Sequence, residues 1–324
     1  MTDAPVVLKI NQLNLSVKKD GKEVPILHDI SLEIREGEQW AIAGESGAGK
    51  SMTMYALTSL LPAKSTVMSG EICYREPDGS YTDVLKLPAA ARTVYCAGKV
   101  SLIFQDSINA LNPFEKIGTQ WRHTLKYRRP DLKKRYCSRV AQTATDFADA
   151  SHSKSAKSAA TTVSYGIFSS ENAYPCTVTK KQQTEYMAAR LAEFGIPDRG
   201  VLQKYPHQLS GGMKQRIAIA MALESDAKIL IADEPTTSLD AVNQRKVVTF
   251  IQELCASRGL TLLYISHNLA LLDEVCDHAA VVRNGTVVEC GSAAQVFHDP
   301  EHPYTRSLIE ETRKLAVTEG QVKT

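Results

Sequence analysis

The feature that most constrains this chain is a glycine-rich turn between a short apolar run and a helical segment. The run Trp40-Ala-Ile-Ala43 is typical of a strand buried in a parallel sheet. The turn Gly44-Glu-Ser-Gly-Ala-Gly49-Lys50-Ser51 follows directly and matches GxxxxGK[ST], and Ser51–Leu61 then predicts a helix that ends at Pro62. A strand, this turn and a helix in direct succession form a P-loop, so the chain is predicted to bind nucleotide phosphates.

Each residue of the turn is a candidate nucleotide ligand. Gly47 and Gly49 allow backbone conformations that point N–H groups at phosphate oxygens, and the helix that follows adds its positive end. Lys50 is predicted to reach the β- and γ-phosphates, and Ser51 is predicted to ligate Mg²⁺. The predicted nucleotide-binding residues of the turn are Gly44, Glu45, Ser46, Gly47, Ala48, Gly49, Lys50 and Ser51.

A second apolar run carries two carboxylates at its polar end. Lys228–Ala232 predicts a buried strand, and Asp233 and Glu234 follow it. Asp233 is predicted to complete the Mg²⁺ site together with Ser51. Glu234, one residue further, is predicted to orient and deprotonate an attacking water.

The rest of the chain indicates an α/β core. Apolar residues alternate on either side of Asp20-Gly21, which predicts an antiparallel hairpin near the N-terminus. Buried strands and helices then alternate, which favours a largely parallel sheet. The predicted strands are Val100–Phe104, Thr261–Ile265 and Ala279–Val282, and the predicted helices are Gly212–Leu223, Ala241–Ser257, Asn268–Cys276 and one from Gln182 to Gly195.

Composition narrows the class of protein. The 324 residues carry 38 Lys and Arg against 36 Asp and Glu, a near balance that argues against a protein that coats nucleic acid. The seven cysteines form no CxxC pair, and their odd number favours a reduced compartment. Met1–Leu15 lacks a signal-peptide layout and no window is apolar enough to span a bilayer, so a cytosolic protein is expected.

The middle of the chain differs in composition from its flanks. Arg122–Arg139 holds eight Lys and Arg with one acid, and Ala141–Ser170 is rich in Ala, Ser and Thr. This pattern predicts an inserted surface segment. It is either a poorly ordered insertion or a docking element for a partner or an anionic lipid.

Several motifs together resemble the ATP-binding cassette (ABC) family. Leu209-Ser-Gly-Gly-Met213 resembles its signature sequence, Ser238-Leu-Asp240 its D-loop, and Gln105 its Q-loop glutamine. The resemblance implies that Ser210, Gly211 and Gly212 serve the nucleotide on the opposite subunit of a dimer, and that Asp240 is a nucleotide-binding residue. It also implies that Gln105 links Mg²⁺ and the attacking water to a transmembrane partner, and that His267 contacts the γ-phosphate.

A finer resemblance is to the oligopeptide, dipeptide and nickel importer ATPases, on Phe104–Pro113, Tyr205–Arg216, Ala232–Asp240 and His302–Arg306. It implies a RecA-like P-loop NTPase core with an N-terminal antiparallel β-subdomain and an inserted α-helical subdomain. The expected division is 1–112 and 211–291 for the core, 113–210 for the helical subdomain with a low-complexity insertion at about 140–180, and 292–324 for a helical tail.

The same resemblance implies the cofactors and partners. ATP and Mg²⁺ are expected, with a second ABC ATPase subunit as a heterodimer partner, two membrane permeases, and indirectly an extracytoplasmic solute-binding protein. No nucleic acid is expected. The chain is expected to lie peripherally on the cytoplasmic face of the cell membrane, with residues 105–114 as the permease-docking face.

The chain also departs from the family pattern. Ser107 stands where the family usually has Pro, and Asn268 where it usually has Asp. No cysteine follows Arg306, which slightly favours the nickel or metal-chelate branch. No aromatic residue precedes Trp40, so an adenine-stacking platform is expected to be missing unless Tyr55 or Tyr165 supplies it. The alternatives are an ATPase of a cytosolic assembly such as a phosphonate-degrading complex, or a soluble cassette of translation or DNA repair.

Overall fold

The computed structural model describes residues 4–63, 65–105, 110–126, 180–225, 227–236 and 241–321. The chain divides into two compact units, one of Met1–Asp106 with Ser225–Thr324 and one of Ser107–Glu224. The boundaries expected at 112, 210 and 291 stay predictions. Apart from Lys180, the predicted insertion at about 140–180 lies outside the described residues.

The first unit contains all the strands of the described chain. In order they are β1 (Val6–Lys19), β2 (Lys22–Arg35), β3 (Gln39–Ala43), β4 (Ser65–Arg75), β5 (Tyr81–Asp83), β6 (Val100–Ile103), β7 (Ile229–Asp233), β8 (Thr261–Ile265), β9 (His278–Arg283) and β10 (Thr286–Ser292). The helices are α1 (Lys50–Thr58), α2 (Ala89–Lys99), α3 (Ile117–Lys126), α4 (Lys180–Glu193), α5 (Gly211–Ala222), α6 (Ala241–Arg258), α7 (Leu269–Val275), α8 (Ala293–His298) and α9 (Pro303–Gln321). Helices α3 to α5 belong to the second unit.

A four-stranded antiparallel sheet has the order β2-β1-β4-β5. The predicted hairpin of β1 and β2 is confirmed, and its turn residues Asp20 and Gly21 have φ values of 49° and 80°. Two consecutive positive φ values match the twist of the flanking strands, and Gly at the second position adopts one readily. The Asp-Gly pair therefore sets the register of the hairpin, with Lys19 opposite Lys22.

A six-stranded sheet with the order β10-β9-β3-β8-β7-β6 forms the second layer of this unit. Only β10 is antiparallel to its neighbour, so the prediction of a largely parallel sheet is confirmed. In the register, Trp40 lies opposite Leu263 on β8 and His278 on β9. The carboxyl ends of β3, β6, β7 and β8 therefore lie along one edge, where ligands bind in open α/β sheets.

One apolar core joins the two sheets. Its fully buried members include Leu8 and Ile10 of β1, Ile34 of β2, and Met54 of α1. The buried Tyr74 of β4 donates its hydroxyl to the carbonyl of Leu57 at 2.7 Å, which ties β4 to α1. The helix that follows the P-loop is thus fixed by packing on both sheets.

Most predicted boundaries differ from the structure by one to three residues, and two of them have a local cause. The helix after the P-loop ends at Thr58, three residues before the predicted Leu61, because Ser59 takes the left-handed conformation with φ 57° and closes the helix. The strand predicted to reach Phe104 ends at Ile103, which leaves Phe104 45% exposed. Both ends depend on local backbone geometry that apolar spacing does not encode.

The second unit is helical where it is described. Trp121 of α3, Phe194 directly after α4 and Ile217 of α5 are completely buried. Glu224 follows α5 and accepts bonds from Arg190 Nε at 3.2 Å and from the Tyr186 hydroxyl at 2.7 Å, an ion pair removed from water. Among the helices that the structure describes, none is long and apolar enough to cross a bilayer.

Candidate active site

The P-loop joins β3 to α1, and both of its ends are packed too closely for side chains. A Cβ on Gly44 would lie 2.3 Å from the carbonyl oxygen of Val282, and a Cβ on Gly49 would lie 2.9 Å from Cδ2 of Leu27. Both glycines have positive φ, 144° and 109°, which residues with a Cβ rarely adopt. Glycine at these two positions therefore lets the backbone of the P-loop pass close to β9 at Gly44 and close to β2 at Gly49.

Lys50 is the first residue of α1 and is only 6% exposed. Its Nζ donates to the carbonyl oxygens of Gly44 and Glu45, both at 2.8 Å. Burial lowers the pKa of Lys50, while the negative charges of Glu234, Asp233 and Glu45 act against that shift. The structure thus places the buried amino group of Lys50 against the P-loop, where a group that binds phosphate is needed.

Asp233 ends β7 and is 5% exposed. Its Oδ1 lies 3.5 Å from Oγ of Ser51, so the two predicted magnesium ligands come together. Burial raises the pKa of the Asp233 carboxyl and the charge of Glu234 raises it further, while the Ser51 hydroxyl and Lys50 lower it. A hydroxyl and a carboxylate oxygen are the donors that Mg²⁺ prefers, so this pair fits the cofactor.

Glu234 has an unusual backbone and a fully engaged carboxylate. Its φ is 42°, and its N–H donates to the carbonyl of Ile265 at 2.8 Å. A positive φ at a residue other than glycine stores strain and is common at functional sites. Oε2 accepts from Nε2 of Gln105 at 3.0 Å, and Oε1 lies 3.0 Å from Nδ1 of His267.

The bond between His267 and Glu234 assigns the imidazole tautomer. A carboxylate only accepts hydrogen bonds, so the hydrogen lies on Nδ1 of His267. His267 follows β8, and the next residue, Asn268, begins α7 by accepting from the N–H of Leu271 at 3.3 Å. Asn serves as a helix cap as well as Asp does, so the departure from the family pattern leaves this turn intact.

The remaining predicted site residues belong to the second unit or lie outside the described residues. Ser210 begins α5 in the second unit, where its Oγ accepts from the N–H of Met213 at 3.4 Å, and Gly211 and Gly212 form the first turn of that helix. Asp240 and Ser107 lie outside the described residues. The roles assigned to Ser210, Gly211, Gly212 and Asp240 stay predictions.

One residue at the site is not predicted from the sequence. The hydroxyl of Tyr304, on α9, accepts the N–H of Glu45 in the P-loop at 3.3 Å. The segment His302–Arg306 is visible in the sequence as a family marker. This marker does not predict a contact with the P-loop, because Tyr304 and Glu45 are 259 positions apart in the sequence.

The P-loop lies beside Lys50 and beside the carboxyl end of a parallel strand that carries the buried Asp233 and the partly exposed Glu234. These features define a P-loop nucleoside triphosphatase. The chain belongs to the ABC transporter family, since the profile of that family matches residues 27–237. It is 32% identical over 311 residues to the dipeptide transport ATP-binding protein DppD of Bacillus subtilis, which covers 95% of this chain and 77% of that protein.

Other known proteins agree with this assignment. The oligopeptide transport ATP-binding protein OppD of Lactococcus lactis is 32% identical over 304 residues, covering 94% of this chain and 75% of that protein. The glutathione import ATP-binding protein GsiA of Salmonella typhimurium is 30% identical over 98% of this chain, which spans only 44% of that protein. The dimeric structure of MJ0796, a bacterial ABC transporter cassette, has a TM-score of 0.60 and 20% identity over 88% of this chain and 98% of its own, which shows the fold.

Proposed function

We propose that this chain is the ATP-hydrolysing subunit of an importer and that nucleotide-driven closure of two cassettes powers uptake. The observation that carries the proposal is the Glu234 carboxylate, which contacts Gln105 on one oxygen and His267 on the other, beside the buried Asp233. A carboxylate held in one orientation beside the predicted metal ligand is suited to accept a proton from an attacking water.

The residues of the site divide the reaction among them. Lys50 supplies positive charge to the β- and γ-phosphates, and the N-terminus of α1 adds its positive end. Ser51 and Asp233 would hold Mg²⁺, which neutralises charge on the phosphate oxygens when bound. Glu234 accepts the proton of the attacking water, while Gln105 and His267 orient its carboxylate.

The partners follow from the family rather than from contacts in this chain. The signature segment Ser210–Gly212 is proposed to complete the nucleotide site of a second cassette, as a heterodimer. Two permease subunits would receive the cassettes at the cytoplasmic face of the membrane, and an extracytoplasmic binding protein would deliver the solute. The dimeric form of MJ0796 supports the pairing of cassettes.

Peptides are the solute class that the relatives favour. Three relatives are named for dipeptides, oligopeptides and glutathione, all of which are peptides. Nickel or metal chelates remain the second solute class of the proposal. A cassette of a cytosolic phosphonate-degrading complex is the alternative function, and none of these three relatives is named for such a complex.

Co-expression with permeases, sought first among the neighbouring genes, tests the proposal. The purified complex is placed in lipid vesicles with the neighbouring binding protein, and ATP hydrolysis is measured with dipeptides, oligopeptides or nickel chelates outside. We expect hydrolysis that rises when one solute class is present. Isolation of the chain with soluble enzymes and without permeases would instead favour the alternative function.

A further inference from the structure

The segment from His302 to Arg306 is attached to the rest of the first unit by hydrogen bonds. Glu289 of β10 accepts the N–H groups of Glu301 at 2.7 Å and His302 at 3.2 Å. Nδ1 of His302 then accepts the N–H of Tyr304 at 3.1 Å, which caps the start of α9. The first turn of α9 therefore has a fixed position on β10.

This position brings Tyr304 to the P-loop. The hydroxyl of Tyr304 accepts the N–H of Glu45 at 3.3 Å, and the residue is only 8% exposed. The Arg283 guanidinium, at the end of β9, lies 4.6 Å from the centre of the Tyr304 ring. A cation over the ring face holds the ring in place, so the hydroxyl is fixed at the second residue of the loop.

The peptide groups on either side of Glu45 are held by two different side chains. The carbonyl of Glu45 accepts from Nζ of Lys50 at 2.8 Å and from the N–H of Ala48 at 3.2 Å. The N–H of Glu45 donates to the hydroxyl of Tyr304. Burial raises the pKa of Tyr304, so the phenol is neutral at physiological pH. Its bond to Glu45 therefore does not depend on pH in that range.

We propose that Tyr304 is a positioning residue of the phosphate site and that it holds the first peptide of the P-loop in its binding conformation. This inference rests on the proposed function of the loop in binding nucleotide. Engagement of Lys50 with phosphates withdraws one donor from the Glu45 carbonyl, whereas the bond from Glu45 N–H to Tyr304 does not involve Lys50. Tyr304 is then the side chain that keeps this turn ordered, and an ordered loop binds more tightly than one that must be ordered.

Tyr304→Phe in the full chain tests the proposal, because it keeps the ring and removes only the oxygen. The matched control is Tyr81→Phe on β5, which removes a hydroxyl that donates to the carbonyl of Val6 at 2.9 Å. We expect Tyr304→Phe to weaken MgATP and MgADP binding by about 3- to 10-fold in calorimetry, the range set by one intramolecular hydrogen bond. GTP and GDP should weaken by the same factor, because the bond does not involve the base.

Hydrogen exchange gives a second readout that needs no nucleotide. The amide of Glu45 should exchange faster in Tyr304→Phe by at least about threefold, and the same amide should be unchanged in Tyr81→Phe. Unchanged affinity together with unchanged exchange would overturn the proposal. So would equal losses in both variants, since these would indicate general destabilisation. A wild-type chain that binds no MgATP would overturn the proposed function, and exchange at Glu45 would still decide the role of Tyr304.

Discussion

At the scale of single residues, Glu234 is the most constrained group of the site. Its backbone has a positive φ, and both oxygens of its carboxylate have partners on β6 and β8 connections. The carboxylate therefore has one orientation, which a general base needs and a solvated strand end does not.

Glu234→Gln should retain MgATP binding and lose nearly all turnover, leaving a nucleotide-locked dimer. Gln has the same shape but does not accept a proton, so turnover should fall by roughly 10²- to 10⁴-fold. Turnover of the assembled transporter and MgATP affinity of the full chain are the two measurements. The control is Glu33→Gln, a carboxylate 3.5 Å from Lys9 on the antiparallel sheet, which should leave both unchanged. Turnover within about threefold of wild type would contradict the assignment.

The Asp233 carboxyl makes the stability of the folded protein depend on pH in the direction opposite to that of most carboxyl groups. Burial raises its pKa, so the folded state holds the proton more tightly than the unfolded state does. Its contribution to stability is therefore fully present below the unfolded pKa and is lost as pH rises through the folded pKa. Asp233→Asn, which stays neutral, should raise the midpoint of thermal unfolding at about pH 7.5, and the gain should disappear near pH 4.

The control for this prediction is a variant that should change the midpoint of thermal unfolding in the opposite direction. The backbone N–H of Gly200 lowers the pKa of Asp198, so Asp198→Asn should lower the midpoint slightly at neutral pH. Asp233→Asn should also reduce the additional stabilisation that ATP gives when Mg²⁺ is present. A gain from Asp233→Asn that is the same at both pH values would show that charge burial is not its cause.

At the scale of elements, we expect the hairpin of β1 and β2 to face the base of the nucleotide. Leu27 of β2 lies against Gly49, so the residues next to the loop on this strand are Ile26 and His28. Trp40 is 6% exposed and stacks on His278 with ring centres 5.0 Å apart, which withdraws it from any ligand. Tyr55 packs against the apolar core, and Tyr165 lies outside the described residues.

We therefore predict weak selectivity for the base. Stacking of a base on an aromatic ring is worth about 1–3 kcal/mol, or roughly 5- to 150-fold in affinity, and β1 and β2 contain no aromatic residue. ATP and GTP should bind Glu234→Gln with dissociation constants within about tenfold of each other, as measured by calorimetry. His28→Tyr should increase the preference for ATP if this strand faces the base. A hundredfold preference in the parent chain would mean that another platform exists.

The elements of the core were predictable because their signals are local. The P-loop, the hairpin turn and the strand that ends at Asp233 are each encoded within about ten residues, and each was found at its predicted place. The strand β4 was missed, since Ser65–Arg75 has Ser69-Gly70 at its centre and only two fully buried residues. The contact of Tyr304 with Glu45 was missed because no local pattern reports a pairing across the chain.

At the scale of the whole molecule, the proposed assembly with permeases would require a surface that is apolar and accessible. Phe114, in the second unit, is 88% exposed, more than any other large apolar residue that the structure describes. A phenylalanine at that exposure is consistent with the predicted docking face at residues 105–114. Residues 106–109 of that face, which include Ser107 and Asn109, lie outside the described part of the chain.

Cysteine crosslinking in the assembled transporter tests this face. Ser107→Cys and Asn109→Cys should crosslink to a permease at least several times more efficiently than Thr286→Cys on β10. The background carries Cys290→Ser, because Cys290 is the exposed cysteine among the described residues. Crosslinks from the two positions that form no better than those from Thr286 would show that the docking face lies elsewhere.

The place of β3 in its sheet has a consequence for synthesis of the chain. Both neighbours of this strand, β8 and β9, are encoded far downstream, since β3 ends at Ala43 and β8 begins at Thr261. At about 5–20 residues per second, the ribosome takes roughly ten to forty seconds to make the roughly 200 residues between them. During that interval the nascent P-loop strand has no partner on either edge. Nascent chains stalled before residue 261 should therefore recruit chaperones through this apolar strand, and release from them should follow translation of β8 and β9.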